Sequence, residues 1–225
     1  MKQVIQIRCK NNKKSQKVEI GSTLFDIFSA FDLKMTHGPV SARVNNKVEG
    51  MHYRVYNSKD VEFLDMTSSS GSRAYTRTLF FVLCKAVQDI YPATDVVIDI
   101  PVSNGFYVDI RLGRPVVDED VNIIRRRMQE IIDARMPIRR FTVPTEEAVA
   151  LFQEKGDVEK VKLLKTSGSI YTTYYKIGDY VDYYYGTLLT NTSQLYLFGL
   201  EKYYDGMLLR IPSLKNPDVL GEMTR

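Results

Sequence analysis

The stretch from residue 74 to residue 110 constrains the fold most, because it joins a long amphipathic helix to a β-hairpin. Apolar residues recur at helical spacing from Ala74 to Ile90 and predict one buried face: Leu79, Val82, Leu83, Ala86, Val87 and Ile90. Pro92 predicts the end of this helix, since proline disfavours the α conformation of the residue before it. Strands are predicted at 96–100 and 105–110, joined by an Asn104-Gly105 turn. We therefore expect the helix to pack on the sheet that follows it.

A smaller unit precedes this stretch. Strands are predicted at 4–9 and 17–20, and Thr23 with Asp26 three residues later has the form of a capping box. A short helix with one apolar face follows the box. Further strands are predicted at 40–44, at 47–48 and at 61–64. This order of strands and helix is that of a small β-grasp domain.

The polar stretch 66–72 predicts a domain boundary, because it has no apolar face to bury. Later, Asp118, Glu119 and Asp120 predict the first turn of a helix running to about Arg135, where carboxylates favour the helix dipole. A paired-carboxylate site made from these residues and Asp109 is the weaker alternative. The predicted buried stripe of this helix is Val121, Ile124, Met128 and Ile131. The remaining predicted elements are a strand at 138–143, a helix with Thr145 as its N-cap, a short helix up to Leu164, strand pairs at 170–175 with 180–185 and at 195–201 with 207–211, and an aperiodic tail from Pro212.

The composition is that of a globular protein, with 225 residues, 44% hydrophobic and 26% charged residues, and a net charge of +4. The sequence has no apolar run long enough to span a bilayer and no signal-peptide pattern, so we expect no membrane partner and a cytoplasmic location. Cys9 and Cys84 lie in apolar contexts, far in sequence from His37 and His52. This spacing predicts buried thiols rather than a metal site.

Two motifs carry a resemblance to a known family. The Tyr91-Pro92 helix end, followed by Asn104-Gly105-Phe106-Tyr107, resembles the second N-terminal domain of threonyl-tRNA synthetases, which is shared with the editing domain of alanyl-tRNA synthetases. In that family the domain hydrolyses mischarged tRNA. The first unit, with Ala42-Arg43-Val44-Asn45, resembles the TGS domain that precedes it. The resemblance implies an α+β protein with a TGS-like β-grasp domain at 1–66, an editing-like domain with helices on an antiparallel sheet at 73–212, and a linker at 213–225.

The family's catalytic ligands are replaced in this chain. A His-x-x-x-His pair on the helix falls on Arg77 and Phe81, and a Cys-x-x-x-His pair after Val181-Asp182 falls on Tyr184 and Leu188. Phenylalanine and leucine neither bind zinc nor transfer protons. We therefore expect no catalytic and no metal-binding residue here, with a hydrolase that uses an altered site as the alternative. The chain also contains no P-loop motif.

Two surfaces are candidates for binding. The remnant of the editing cleft is predicted to take an anionic ligand or a base, or else to be filled, and its residues are Arg73, Arg77, Phe81, Asn104, Tyr107, Lys165, Asp182, Tyr184 and Leu188. A basic set is predicted either to follow an RNA backbone or to be an ordinary solvated face: Lys10, Lys13, Lys14, Arg125, Arg126, Arg127, Arg139 and Arg140. The tyrosines between 171 and 185 fit strand packing better than a stacking platform.

The same pair of domains with its ligands lost resembles the N-terminal half of bacterial uridine kinase-like proteins. That resemblance implies a non-catalytic regulatory, ligand-binding or RNA-binding module, with a C-terminal kinase domain of the same polypeptide as its partner. ATP and Mg²⁺ would then belong to the kinase domain, and this chain would hold no cofactor. The alternatives are an aminoacyl-tRNA editing hydrolase and a free-standing tRNA-binding module related to threonyl-tRNA synthetase.

Overall fold

The computed structural model describes residues 3–92, 94–102 and 105–221. Helices and strands follow one another along the chain, so the predicted α+β class is confirmed. The described residues form two compact units, 3–136 with 187–221 and 137–186. The assignment of a TGS-like and an editing-like domain stays a prediction. None of the described helices has the length and apolar character needed to cross a bilayer.

The elements in chain order are β1 (Val4–Cys9), β2 (Ser15–Glu19), β3 (Ser22–Thr23), α1 (Leu24–Ala30), β4 (Ser41–Val44), β5 (Lys47–Glu49), β6 (Arg54–Val55), β7 (Lys59–Leu64), α2 (Ser69–Ile90), β8 (Val96–Val102), β9 (Gly105–Ile110), α3 (Asp118–Asp133), β10 (Arg139–Pro144), α4 (Thr145–Glu154), α5 (Val158–Thr166), β11 (Tyr171–Ile177), β12 (Tyr180–Tyr183), β13 (Gly199–Tyr203) and β14 (Gly206–Arg210).

The first sheet has five strands in the order β2-β1-β7-β4-β5. β1 and β7 are parallel at its centre, and the other neighbours are antiparallel. Side chains from β1, α1 and β7 share one core, for example Ile7, Ile27 and Phe63. The predicted capping box is confirmed, since Thr23 Oγ1 accepts from the Asp26 amide and the Asp26 carboxylate accepts from the Thr23 amide at 2.9 Å.

Helix α2 begins at Ser69 rather than at Ala74, so the prediction of its start was wrong. The domain boundary at 66–72 stays a prediction. Ser68 is the N-cap, and its hydroxyl accepts from the Gly71 amide at 3.0 Å. Gly71 is buried, and a Cβ added there would lie 1.8 Å from the Asp65 carbonyl oxygen. The small residues thus let the helix backbone approach the end of β7. The predicted end is confirmed, because α2 stops at Ile90 before Pro92.

The second sheet has the order β13-β14-β9-β8 and is antiparallel throughout. Val102 pairs with Gly105, so the predicted hairpin is confirmed while its turn residues lie outside the described part. The strand predicted from residue 195 begins only at Gly199, since 192–194 forms a 3-10 turn capped by Asn191. In α3 the predicted buried stripe is confirmed, with Ile124 and Met128 completely buried.

The unit 137–186 is a three-stranded antiparallel sheet, β10-β11-β12, with α4 and α5 on it. Ala148, Phe152, Leu164 and Val181 form its core. Thr145 was wrongly predicted as the N-cap of α4. It is the first helical residue, and its hydroxyl donates to the Ser169 carbonyl oxygen at 2.6 Å.

The segment after β14 folds back on itself as far as Gly221, and its role as a linker stays a prediction. Pro212 and Leu220 form an isolated antiparallel β-bridge, and the Ser213 amide donates to the Val219 carbonyl oxygen at 2.9 Å. The Arg210 guanidinium donates to the Gly221 carbonyl oxygen at 2.7 Å. A periodic pattern of apolar residues is absent from this segment, because turns rather than a helix or strand fold it back.

Candidate functional site

Helix α2 carries Arg77 and Phe81, the first pair of positions that the resemblance assigns to ligands. Arg73 is exposed, Arg77 is half-buried, and Phe81 has no exposed surface. Arg77 and Phe81 are four residues apart, so they lie on the same side of the helix. This side of α2 therefore runs from a cationic end to an apolar core position.

The segment 187–190 lies against the same helix. The Thr78 hydroxyl donates to the Ala74 carbonyl oxygen at 2.7 Å and accepts from the Leu189 amide at 2.9 Å. Leu188, which falls on the last ligand position of the motif, has no exposed surface. Phe81 and Leu188 are thus core residues of the first unit, and neither side chain is open to solvent.

Tyr107 and Asn104 were the two predicted cleft residues of the hairpin. Tyr107 lies in β9, half-buried, with its ring edge-to-face on Tyr203 at 6.2 Å. Burial raises the pKa of Tyr107, and the nearby carboxylates of Asp109 and Asp205 raise it further. Tyr107 therefore stays a neutral hydroxyl at physiological pH. Asn104 lies outside the described residues.

Asp182 is the centre of a charged network in the unit 137–186. Its carboxylate accepts from Lys160 Nζ at 2.8 Å, from the Tyr180 hydroxyl at 2.9 Å and from the Tyr183 amide at 2.7 Å. Lys160 also pairs with Asp157 at 2.8 Å. Burial alone would lower the pKa of Lys160, but the charges and hydrogen bonds of Asp182 and Asp157 outweigh it and raise this pKa to about 12.

Lys160 was missed as a site residue by the sequence analysis, which selected Lys165. Lys165 is exposed in the last turn of α5, and Tyr184 is half-buried just after β12. The signal in the sequence that could have identified Lys160 is the helix cap three residues before it. Asp157 follows Gly156 and caps α5 by accepting from the Lys160 amide at 3.0 Å, which places Lys160 one turn from a carboxylate.

Asp120 confirms the predicted helix-start role of the carboxylates before α3. It is buried, accepts from the Val117 amide at 2.9 Å, and is bound by the Arg114 guanidinium at 2.6 and 2.8 Å. The Tyr91 hydroxyl donates to it at 2.6 Å. The Arg114 hydrogen bonds, together with those from Tyr91 and Val117, hold the pKa of Asp120 well below its usual range. This cluster fixes the start of α3 and has a structural role.

The predicted RNA-contacting residues differ in their availability. Lys10, Lys13 and Lys14 are exposed around the turn between β1 and β2. On α3, Arg125 and Arg126 are exposed, whereas Arg127 is held by Asp89 and Glu130 at 2.9 Å each. In the other unit, Arg139 and Arg140 are exposed at the start of β10. An RNA-binding role for these residues stays a prediction.

A metal centre was not expected, and that expectation also stays a prediction. Within the part of the chain that the structure describes, no three His, Cys, Asp or Glu side chains are grouped as metal ligands. Cys9 is buried as predicted, while Cys84 is half-buried.

These features describe an α+β protein in which the positions that the resemblance assigns to ligands are occupied by Arg77, Phe81, Tyr184 and Leu188. The chain resembles threonine--tRNA ligases, at 29% identity over 181 residues for the one from Acetivibrio thermocellus, 30% over 193 for Clostridium kluyveri and 30% over 204 for Syntrophotalea carbinolica. These matches cover 80%, 85% and 86% of this chain, but only 28%, 30% and 32% of those enzymes. No family model matches the chain.

The similarity supports the expected threonyl-tRNA synthetase-like region, which covers most of this chain. The chain spans about 30% of the length of the curated relatives it matches. The relation to uridine kinase-like proteins gains no support from these relatives, and the predicted kinase partner with its ATP and Mg²⁺ stays a prediction.

Proposed function

We propose that this chain is a tRNA-binding module related to threonine--tRNA ligases that has lost the family's hydrolytic chemistry. The observation that carries the proposal is the similarity to those enzymes along 80% to 86% of the chain. The first sheet supports the TGS-like part, because a parallel central pair with antiparallel flanking strands and one helix is β-grasp topology. The hairpin β8–β9 on α2 supports the editing-like part.

The loss of hydrolysis is argued from the four ligand positions. Arg77, Phe81, Tyr184 and Leu188 supply no imidazole and no thiolate, which are the groups that would bind a metal or move a proton. Phe81 and Leu188 are also completely buried. Lys160 and Asp182 neutralise each other, so neither is a free general base. Binding without turnover is what this set of side chains supports.

The cationic side chains suited to an RNA backbone are those without a protein carboxylate beside them. Lys10, Lys13 and Lys14 meet this condition among the described residues and occupy one turn. Arg127 does not, because Asp89 and Glu130 hold its guanidinium. Counterion release by such lysines makes binding strongly salt-dependent.

The test is a tRNA titration of the chain across a salt series. We expect the logarithm of the affinity to fall linearly with the logarithm of salt concentration. Replacing Lys10, Lys13 and Lys14 together by Gln should reduce the magnitude of the slope of log affinity against log salt concentration by roughly two to three. A control with Lys34, Lys162 and Lys215 changed to Gln carries the same charge change outside the predicted set and should keep the slope.

The second half of the proposal is tested with a misacylated tRNA. We expect the ester to be lost no faster with the protein than without it. Turnover above this background would show an altered-site hydrolase, and absence of salt-dependent tRNA retention would overturn the binding role itself.

A further inference from the structure

Two cations stand directly opposite each other on one face of the three-stranded sheet in the unit 137–186. Arg139 in β10 is the strand partner of Lys176 in β11. Directly paired residues of antiparallel strands share a face, with Cβ atoms about 4.5–5.5 Å apart. The ring centroids of Phe141 and Tyr174, the pair two positions along, lie 5.2 Å apart, as expected for side chains on one face. Arg139 and Lys176 therefore project from the same side of the sheet.

This pair of cations has no counter-charge within the protein. The third member of the row, in β12, is Val181, which belongs to the core of the unit. Neither Arg139 nor Lys176 has a carboxylate within ion-pair distance among the described residues, and Asp182 is paired with Lys160 instead. Like charges directly opposite each other destabilise a sheet. The row thus contains a repulsion that an anion would relieve.

A third cation lies at the same end of the sheet. Lys155, the exposed C-cap residue of α4, donates from its ammonium group to the Asp179 carbonyl oxygen at 3.4 Å. Asp179 follows β11 and is three positions after Lys176. Its carboxylate is not within ion-pair distance of Arg139, Lys155 or Lys176. Lys155 therefore adds positive charge to this end of the sheet.

We propose that Arg139 and Lys176 together bind one phosphate group of an RNA strand, which deepens the proposed function and rests on it. The guanidinium donates two hydrogen bonds to phosphate oxygens, and the ammonium places a second charge beside the anion. A phosphate bound by both cations replaces their repulsion with two attractions. Phe141 and Tyr174 are half-buried next to the pair, so aromatic surface borders the phosphate position. RNA matches this order, because it carries a flat base beside each phosphate.

The experiment titrates the full chain with a single-stranded RNA octamer and, separately, with inorganic phosphate. Amide chemical shifts of Arg139 and Lys176 locate the binding, and fluorescence anisotropy measures the octamer affinity at several salt concentrations. The variants are Arg139→Gln and Lys176→Gln. Lys162→Gln is the control with the same charge change, since Lys162 is exposed on α5 and lies outside the sheet.

We expect the octamer to shift both amides and each site variant to bind it about five- to tenfold more weakly. The slope of log affinity against log salt concentration should lose roughly 0.7 in magnitude for each charge removed. Without RNA, each site variant should unfold at a higher temperature than the unchanged protein, because the like-charge repulsion is gone. Weaker binding by a more stable protein separates a contact with RNA from a general loss of structure. Lys162→Gln should keep both the affinity and the slope.

Unshifted amides, or site variants that bind the octamer as tightly as Lys162→Gln, overturn the proposal. Inorganic phosphate that binds at these amides as tightly as the octamer also overturns it, because the ligand is then a free anion. Failure of the proposed function is a separate result. It is read from the tRNA titration with Lys10, Lys13 and Lys14 replaced, and these lysines belong to the other unit.

Discussion

At the scale of single residues, two of the buried carboxylates show how this protein stabilises charge in its interior. Asp120 and Asp182 are both buried, and each is matched by a cation and by a tyrosine hydroxyl. A buried charge costs several kcal/mol unless such partners replace water. Both carboxylates therefore stabilise the fold only as long as their partners are present.

We predict that Asp120→Asn lowers the free energy of unfolding by about 2 kcal/mol. The change removes charge-assisted hydrogen bonds from Arg114, Tyr91 and the Val117 amide. Asp118→Asn is the matched control, since Asp118 is exposed on the same helix turn. This change should lower the free energy of unfolding by only a few tenths of a kcal/mol, roughly the helix-dipole contribution. Urea unfolding of the two variants measures the difference, and equal effects would contradict the structural role of Asp120.

The pH dependence of this contribution has a definite sign. Because the pKa of Asp120 is lower in the folded protein than its usual value, protons bind more readily to the unfolded chain. The stabilisation is complete above about pH 4 and is lost as the pH falls through the lower folded pKa. The acid limb of the stability curve should therefore be shallower in Asp120→Asn than in the unchanged protein, and an identical limb would speak against this origin.

At the scale of elements, the start of α2 is decided by contact with the strand before it. Ser68 caps the helix, but Gly71 allows the first turn to lie against the Asp65 carbonyl. An alanine in place of glycine in a helix normally stabilises by about 0.5–1 kcal/mol. Here the added methyl group would meet backbone.

We predict that Gly71→Ala destabilises the protein by about 1–3 kcal/mol, because the close contact forces the backbone to shift. Helix propensity alone would make the same change stabilising. Ser69 in the same turn is exposed, so Ser69→Ala should leave the stability nearly unchanged. Thermal unfolding of both variants measures this. A stabilised Gly71→Ala would mean that α2 and β7 are not this close.

At the scale of the whole molecule, two compact units divide the chain, and the smaller one has a small core of its own. Phe152 is completely buried in that core, whereas Phe63 is buried in the core of the first sheet. Removing either ring leaves a cavity, and cavities in cores of this kind cost about 3–5 kcal/mol.

We predict that Phe152→Ala increases amide hydrogen exchange mainly within 137–186, because local opening follows the stability of each unit. Phe63→Ala should instead increase amide hydrogen exchange mainly in the strands of the first sheet. Native-state hydrogen exchange followed by mass spectrometry measures both patterns. A uniform increase over the whole chain in either variant would contradict separate units.

The sequence by itself determined the elements whose signals are local. Strand β1, the Thr23–Asp26 box, the end of α2 before Pro92 and the buried stripe of α3 all follow from periodicity and capping chemistry, which act over a few residues. The absence of imidazole and thiolate groups at Arg77, Phe81, Tyr184 and Leu188 was equally visible, since a side chain's chemistry is fixed by its identity.

Only the tertiary structure decided the rest. The first turn of α2 was not predicted, because small polar residues carry no periodic signal, and the close approach to Asp65 buries Gly71 within it. Lys160 gained its ion pair from Asp182, which is 22 positions away in sequence. Such pairings are set by how strands and helices pack, and packing brings together residues whose local sequence contains no trace of one another.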